Sequence, residues 1–139
     1  MEGIGEIADR WFLRVLEGYP EQTAQFMRAQ ADPFRNPAGA ALRRALPVLV
    51  RHVLGVAEPE AQQALDAIIR LRAVQDLSPS QAVGFVFYLR EVLGEQGTDE
   101  AIQRRIDDLS LAAFEAYMRC REQIAQIRAN EMARSPRVR

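Results

Sequence analysis

Ser78-Pro79-Ser80-Gln81-Ala82-Val83-Gly84-Phe85-Val86-Phe87-Tyr88-Leu89 decides how the chain folds. Its body, from Ala82 to Leu89, is apolar almost all round, and by itself would suit a buried strand or a buried helix. The first four residues favour the helix. Serine stands at the N-cap, proline at the first helical position, and glutamine at the third, where its side chain can close a capping box with the serine. Arg90-Glu91 followed by Val92-Leu93 continues the helical phase. The stretch therefore predicts a helix that neighbours cover on most sides. Gly84 would let another backbone come close.

The flanking sequence has the same period. On the N-terminal side Ile4, Ile7, Trp11, Phe12, Val15, Leu16 and Tyr19 recur at steps of three and four, which predicts a first helix ended by Pro20. Glu21 to Ala31 reads as a shorter second helix burying Ala24, Met27 and Phe26. Asp32-Pro33-Phe34-Arg35-Asn36-Pro37 interrupts the pattern twice, because the residue before each proline is pushed out of the helical region. Asn36 is a good N-cap and Pro37 a good first residue, so a third helix should run from there to Gly55. Pro47 lies within it and is expected to kink or split it. A fourth helix starting near Pro59 turns Ala61, Leu65, Ile68, Ile69 and Arg72 to one side before Asp76 and Leu77.

On the C-terminal side Gly94 and Gly97 mark a break, and Thr98-Asp99-Glu100 supplies a cap with acids in the first turn. From there to about Arg134 no residue breaks the pattern. A helix of that length is roughly 50 Å long, more than the diameter of a domain of this size, so its end should project. Its second half keeps a narrow apolar line through Tyr117, Cys120, Ile124 and Ile127, which suggests pairing with another helix. The expected architecture is all-α: a single bundle of about six helices over residues 1–134 with a long projecting C-terminal helix, and a disordered tail at 135–139.

Composition narrows the function. The net charge of −1 sets up no field for polyanions, so nucleic acid is not expected as a partner. The chain has no lysine, and every basic side chain is an arginine. The longest apolar run, Ala82 to Leu89, is far too short to span a bilayer, and the N-terminus lacks the pattern of a secretory signal. With one cysteine, Cys120, and no signal, a reducing cytoplasm is the expected location, with no membrane partner.

Candidates for chemistry are few. The only histidine, His52, has no second ligand at i+3 or i+4, so neither metal nor haem is expected. Cys120 lies between Arg119 and Arg121, which could activate its thiol, although a lone helical cysteine is ordinarily a small core residue. Arg70, Arg72 and Asp76 read as ion pairs between or within helices before they read as a phosphate site. A small-molecule pocket would draw on Arg72, Asp76, Ser80, Gln81, Phe85, Tyr88, Arg119 and Cys120, though the aromatics are ordinary core residues too. No catalytic residue, metal or cofactor is assigned.

Three stretches taken together carry a family resemblance: Asp32 to Pro37; Ile69-Arg70-Leu71-Arg72-Ala73-Val74-Gln75-Asp76-Leu77 running on through Ser78 to Val86; and Tyr117 to Glu122 with Ile127-Arg128-Ala129-Asn130-Glu131. The sequence resembles, from about Trp11 to Arg134, the RsbRD-type N-terminal domain, the variable sensory module of bacterial stressosome co-antagonist proteins. That module also occurs ahead of sensor kinases and as a free-standing chain. The resemblance implies a haem-free globin-like fold and an input domain whose last helix continues toward an output domain, commonly of the STAS type. It also implies a homodimer. An output domain would begin where this sequence ends, so the chain is expected to be either a piece of a longer protein or a free-standing member, which would signal by binding another protein. The expected function is a non-enzymatic regulatory sensor. The alternatives are a small-molecule or cofactor sensor and an accessory protein of a redox or sulfur-metabolism complex.

Overall fold

The first helix forms where the apolar period predicts it, and each later boundary follows from a local signal. A computed structural model of the chain describes residues 3–75 and 77–134. Among them are six α-helices and no strand: α1 (Ile4–Leu16), α2 (Glu21–Ala29), α3 (Pro37–Val53), α4 (Ala61–Val74), α5 (Pro79–Leu93) and α6 (Glu100–Arg134), with a 3₁₀ turn at Gly94–Thr98 before α6. The capping box of α5 is complete. Ser78 Oγ accepts from the Gln81 amide at 3.2 Å, and Gln81 Oε1 accepts from the Ser78 amide at 3.0 Å. Asp99 caps α6 by accepting from the amides of Ala101 and Ile102.

Five helices close a ring. α1 packs on α3, α3 on α4, α4 on α6, α6 on α5, and α5 back on α1, while α2 lies across the α1 and α3 corner. The core they enclose includes Trp11, Leu46, Leu49, Ile68, Phe85 and Ile106, all fully buried. Trp11 stacks on Phe85 with ring centroids 5.9 Å apart, and its Nε1 donates to the Phe85 carbonyl at 2.8 Å. The indole is thus buried with its one donor satisfied.

Three expectations are corrected. α3 is not split at Pro47: the proline withholds one donor, and Leu46, Leu49 and Val50 around it are held in the core on either side. Phe26 is exposed, because Met27 alone takes the inward position of the short α2. Phe87 is also exposed, since α1 and α6 flank α5 and leave its outer side open. The projection of α6 is present: every residue from 125 to 134 is exposed, about 15 Å of helix beyond the last residue packed on the core. The proposed tail, 135–139, lies outside the described residues.

Candidate functional site

Among the described residues two polar side chains are buried, Asn36 and Arg72, with 3% and 4% of their surface exposed. Each sits where one helix meets the start of another. Arg72 belongs to the last turn of α4 and shares the inward face of Leu65, Ile68 and Ile69. Its Nη2 donates to the carbonyl of Gln81 at 2.7 Å and its Nε to that of Ala82 at 3.0 Å, both in the first turn of α5. Its Nη1 donates to the Tyr19 hydroxyl at 3.2 Å, and that hydroxyl donates to Gln75 Oε1 at 2.6 Å. The guanidinium lies 5.4 Å from the Phe85 ring centroid and 5.8 Å from that of Tyr19.

A buried cation needs its charge met, and here carbonyl dipoles and ring faces do so. No carboxylate among the described residues forms an ion pair with Arg72. Burial pushes the Arg72 guanidinium below its ordinary pKa, opposed by the nearby phenols of Tyr19 and Tyr88. Burial likewise raises the Tyr19 phenol, opposed by Arg72 and Gln75. The arrangement is therefore a clamp joining α4, α5 and the end of α1.

The fold brings part of the ligand site singled out from the sequence together around Arg72 and leaves the rest apart. Arg72, Gln81 and Phe85 do come together, but Arg72 spends its donors on the protein, Gln81 closes the capping box, and Phe85 is core. Ser80 is exposed, with its hydroxyl 3.4 Å from that of Ser78. Tyr88 is half-buried under the Arg14 guanidinium, 3.9 Å from its ring centroid. Arg119 pairs with Asp66 at 3.7 Å on α4, and Cys120 is half-buried with a free thiol. Asp76 lies outside the described residues. The residue that sequence reasoning missed is Tyr19, read there as one more apolar position. The available signal was that a tyrosine at the inner edge of a helix brings a hydroxyl that needs a partner.

The expected pairing line on α6 is divided between the core and the surface. Tyr117 is 3% exposed and belongs to the core, while Cys120 and Ile124 are half-buried against it. Only Ile127, 57% exposed, is open. A line at helical spacing that ends a core face is the inner side of the helix continued outward.

Clefts open elsewhere. The α1 and α2 corner bounds one of about 430 Å³, lined by Leu13, Leu16, Tyr19, Ala24 and the polar Glu17, Glu21, Gln25 and Arg28. His52 borders a separate recess with Glu58, Gln62 and Asp108. Neither is lined by any of the seven described residues among those proposed from the sequence. Among the described residues no group of three or more His, Cys, Asp and Glu side chains could hold a metal ion. No described helix is long and apolar enough to cross a membrane.

One family model matches the chain over residues 5–132, that of the RsbT co-antagonist protein rsbRD N-terminal domain. The match takes in the helical ring but for the first residue of α1 and the last two of α6, beginning six residues earlier than the sequence resemblance. No curated protein and no solved structure matches significantly.

Proposed function

We propose, from the premise that the chain belongs to the RsbRD N-terminal domain family, that it works as a non-catalytic regulatory module whose output leaves through α6. The observation that carries this reading is the division of one continuous 35-residue helix into two environments. The first part packs against α4 and α5, with Ile106, Leu109, Ala113 and Tyr117 inside the core. The last ten residues stand clear of the body.

An unbroken helix is stiff over this length, so a rotation or shift imposed where it is packed arrives at its free end. The core supplies the two-sided grip that such transmission needs, because close-packed interiors pass on displacement instead of absorbing it. The partner at the free end is then another protein or an output domain joined to it.

The test is a series of fusions. The chain is joined through Arg134 to a reporter kinase core, with zero to seven residues inserted at the junction. Reporter output should follow the helical phase, changing with the first insertions and returning at seven, two full turns of the helix. Output that stays flat across the series would overturn the reading.

A further inference from the structure

The connection between α1 and α2 contributes Glu17, Tyr19 and Glu21 to the wall of the cleft of about 430 Å³. α2 continues that wall with Ala24, Gln25 and Arg28, which share one face of the helix with Glu21. α1 supplies Leu13 and Leu16. Leu13 is 46% exposed, a large apolar side chain left open to water. Small-molecule sites span about 300 to 1,000 Å³ and combine an apolar lining with a few convergent polar groups, as this cleft does.

Charge gives the cleft two different ends. At one, the Arg14 guanidinium is shared between Glu17 at 2.9 Å and Glu91 at 3.0 Å. Glu21 forms no ion pair among the described residues. Three carboxylates against one guanidinium leave this neighbourhood negative, and the Tyr19 ring belongs to the same wall. Carboxylates and an aromatic face both attract a cation. Arg28 stands seven residues farther along α2, about 10 Å away, and it too forms no ion pair among the described residues. A cationic occupant is held at one end and repelled from the other, which fixes its direction.

Tyr19 also ties the cleft to the interior. Its hydroxyl accepts from Arg72 and donates to Gln75. An occupant over Tyr19 keeps water from that hydroxyl, and hydrogen bonds strengthen as water leaves.

We infer that this cleft binds a small organic cation, an amine or guanidine with an apolar body, its charge against Glu17 and Glu21 and its body on Leu13, Leu16 and Tyr19. Filling the cleft tightens the clamp that Arg72 makes on α5, the helix that packs on α6. Binding stands on the cleft alone, and only its passage to α6 rests on the regulatory reading.

The probe is phenethylamine, titrated into the isotope-labelled chain and followed by amide NMR. Hydrocinnamate, the same body with the opposite charge, is the control. The amides of Leu13 to Glu17 and of Ala24 to Arg28 should shift with the amine and saturate with a Kd on the order of 1 mM, as suits so few atoms. Hydrocinnamate should bind at least about five-fold more weakly, and Glu21→Gln should weaken the amine about three-fold, the scale of exposed charge pairs. Glu21 is exposed, so this variant keeps the fold. The buried Arg72 Nε–H signal should move with the amine in the wild type. It should stay fixed in Tyr19→Phe, which keeps the ring and loses the hydroxyl. An amine that has not begun to saturate by about 20 mM overturns the inference. So does hydrocinnamate binding as tightly as the amine, or shifts confined to the recess at His52. Failure here is separable from failure of the regulatory reading: a fused reporter that follows helical phase in a chain that binds no amine removes the site alone, and saturable binding with a flat reporter removes the output alone.

Discussion

Asn36 and Arg72 solve the same problem in opposite ways. Each is a buried polar side chain that fastens the start of a helix to what precedes it. Asn36 does so locally. Its Oδ1 accepts from the Gly39 amide at 2.9 Å, and its Nδ2 donates to the carbonyls of Met27 and Gln30 at the end of α2. All its partners lie within nine positions in sequence. Arg72 reaches farther, to α5 carbonyls nine and ten residues on and to a hydroxyl 53 residues back. A short neutral amide in a tight corner is written in its immediate neighbours, whereas the long cation's role depends on how three helices pack.

The sharpest way to break the comparison is Arg72→Ala. The truncation empties a large buried site and removes the donors to the Gln81 and Ala82 carbonyls, so urea denaturation should show a loss of about 3 to 4 kcal/mol. Arg72→Met keeps most of the volume and removes the donors, and should cost about 1 to 2 kcal/mol. If the methionine variant matches the wild type, the clamp acts by filling space, and its hydrogen bonds only offset the cost of burying the charge.

The local knot is tested through its glycine. A Cβ on Gly39 would stand 2.3 Å from Asn36 Nδ2, so Gly39→Ala must push the amide out of its site. It should destabilise by about 2 kcal/mol, close to the cost of Asn36→Ala. With Asn36 already alanine the obstacle is gone. There Gly39→Ala should be neutral or stabilise by up to about 1 kcal/mol, as glycine-to-alanine changes inside helices ordinarily do. Two costs that simply add would show that the glycine and the amide are not one unit.

The same contrast explains what could be read from the sequence. The capping residues Asn36, Ser78, Gln81 and Asp99 act on groups two or three positions away, and each was legible. So was the inward side of α4, Arg72 included, because apolar period fixes phase. What Arg72 touches was not legible, since Gln81 and Ala82 come within its reach only after α4 and α5 have packed. α6 failed differently. It carries two apolar lines at helical spacing, one through Tyr117 and Ile124 and one through Leu111 and Met118, and spacing alone does not say which faces the core. Packing against α4 and α5 draws Tyr117 into the core, so the inner line serves the core first and runs on into the projecting end at Ile127.

The smallest effect sharpens the comparison at the point where the long-range clamp meets α1. Tyr19→Phe removes one hydroxyl that both accepts from Arg72 and donates to Gln75. Tyr19 is half-buried and lines the open cleft at the α1 and α2 corner, so water can reach the partners it leaves. The expected loss is about 1 kcal/mol, the net worth of a hydrogen bond whose partners can be rehydrated. Arg72 keeps its two α5 carbonyls in this variant. Combining Tyr19→Phe with Arg72→Ala should therefore cost less than the sum of the two, because the alanine has already removed the hydroxyl's partner. Additive costs in denaturant unfolding would mean that Tyr19 and Arg72 fasten their helices independently, and the clamp would reduce to the contact between α4 and α5.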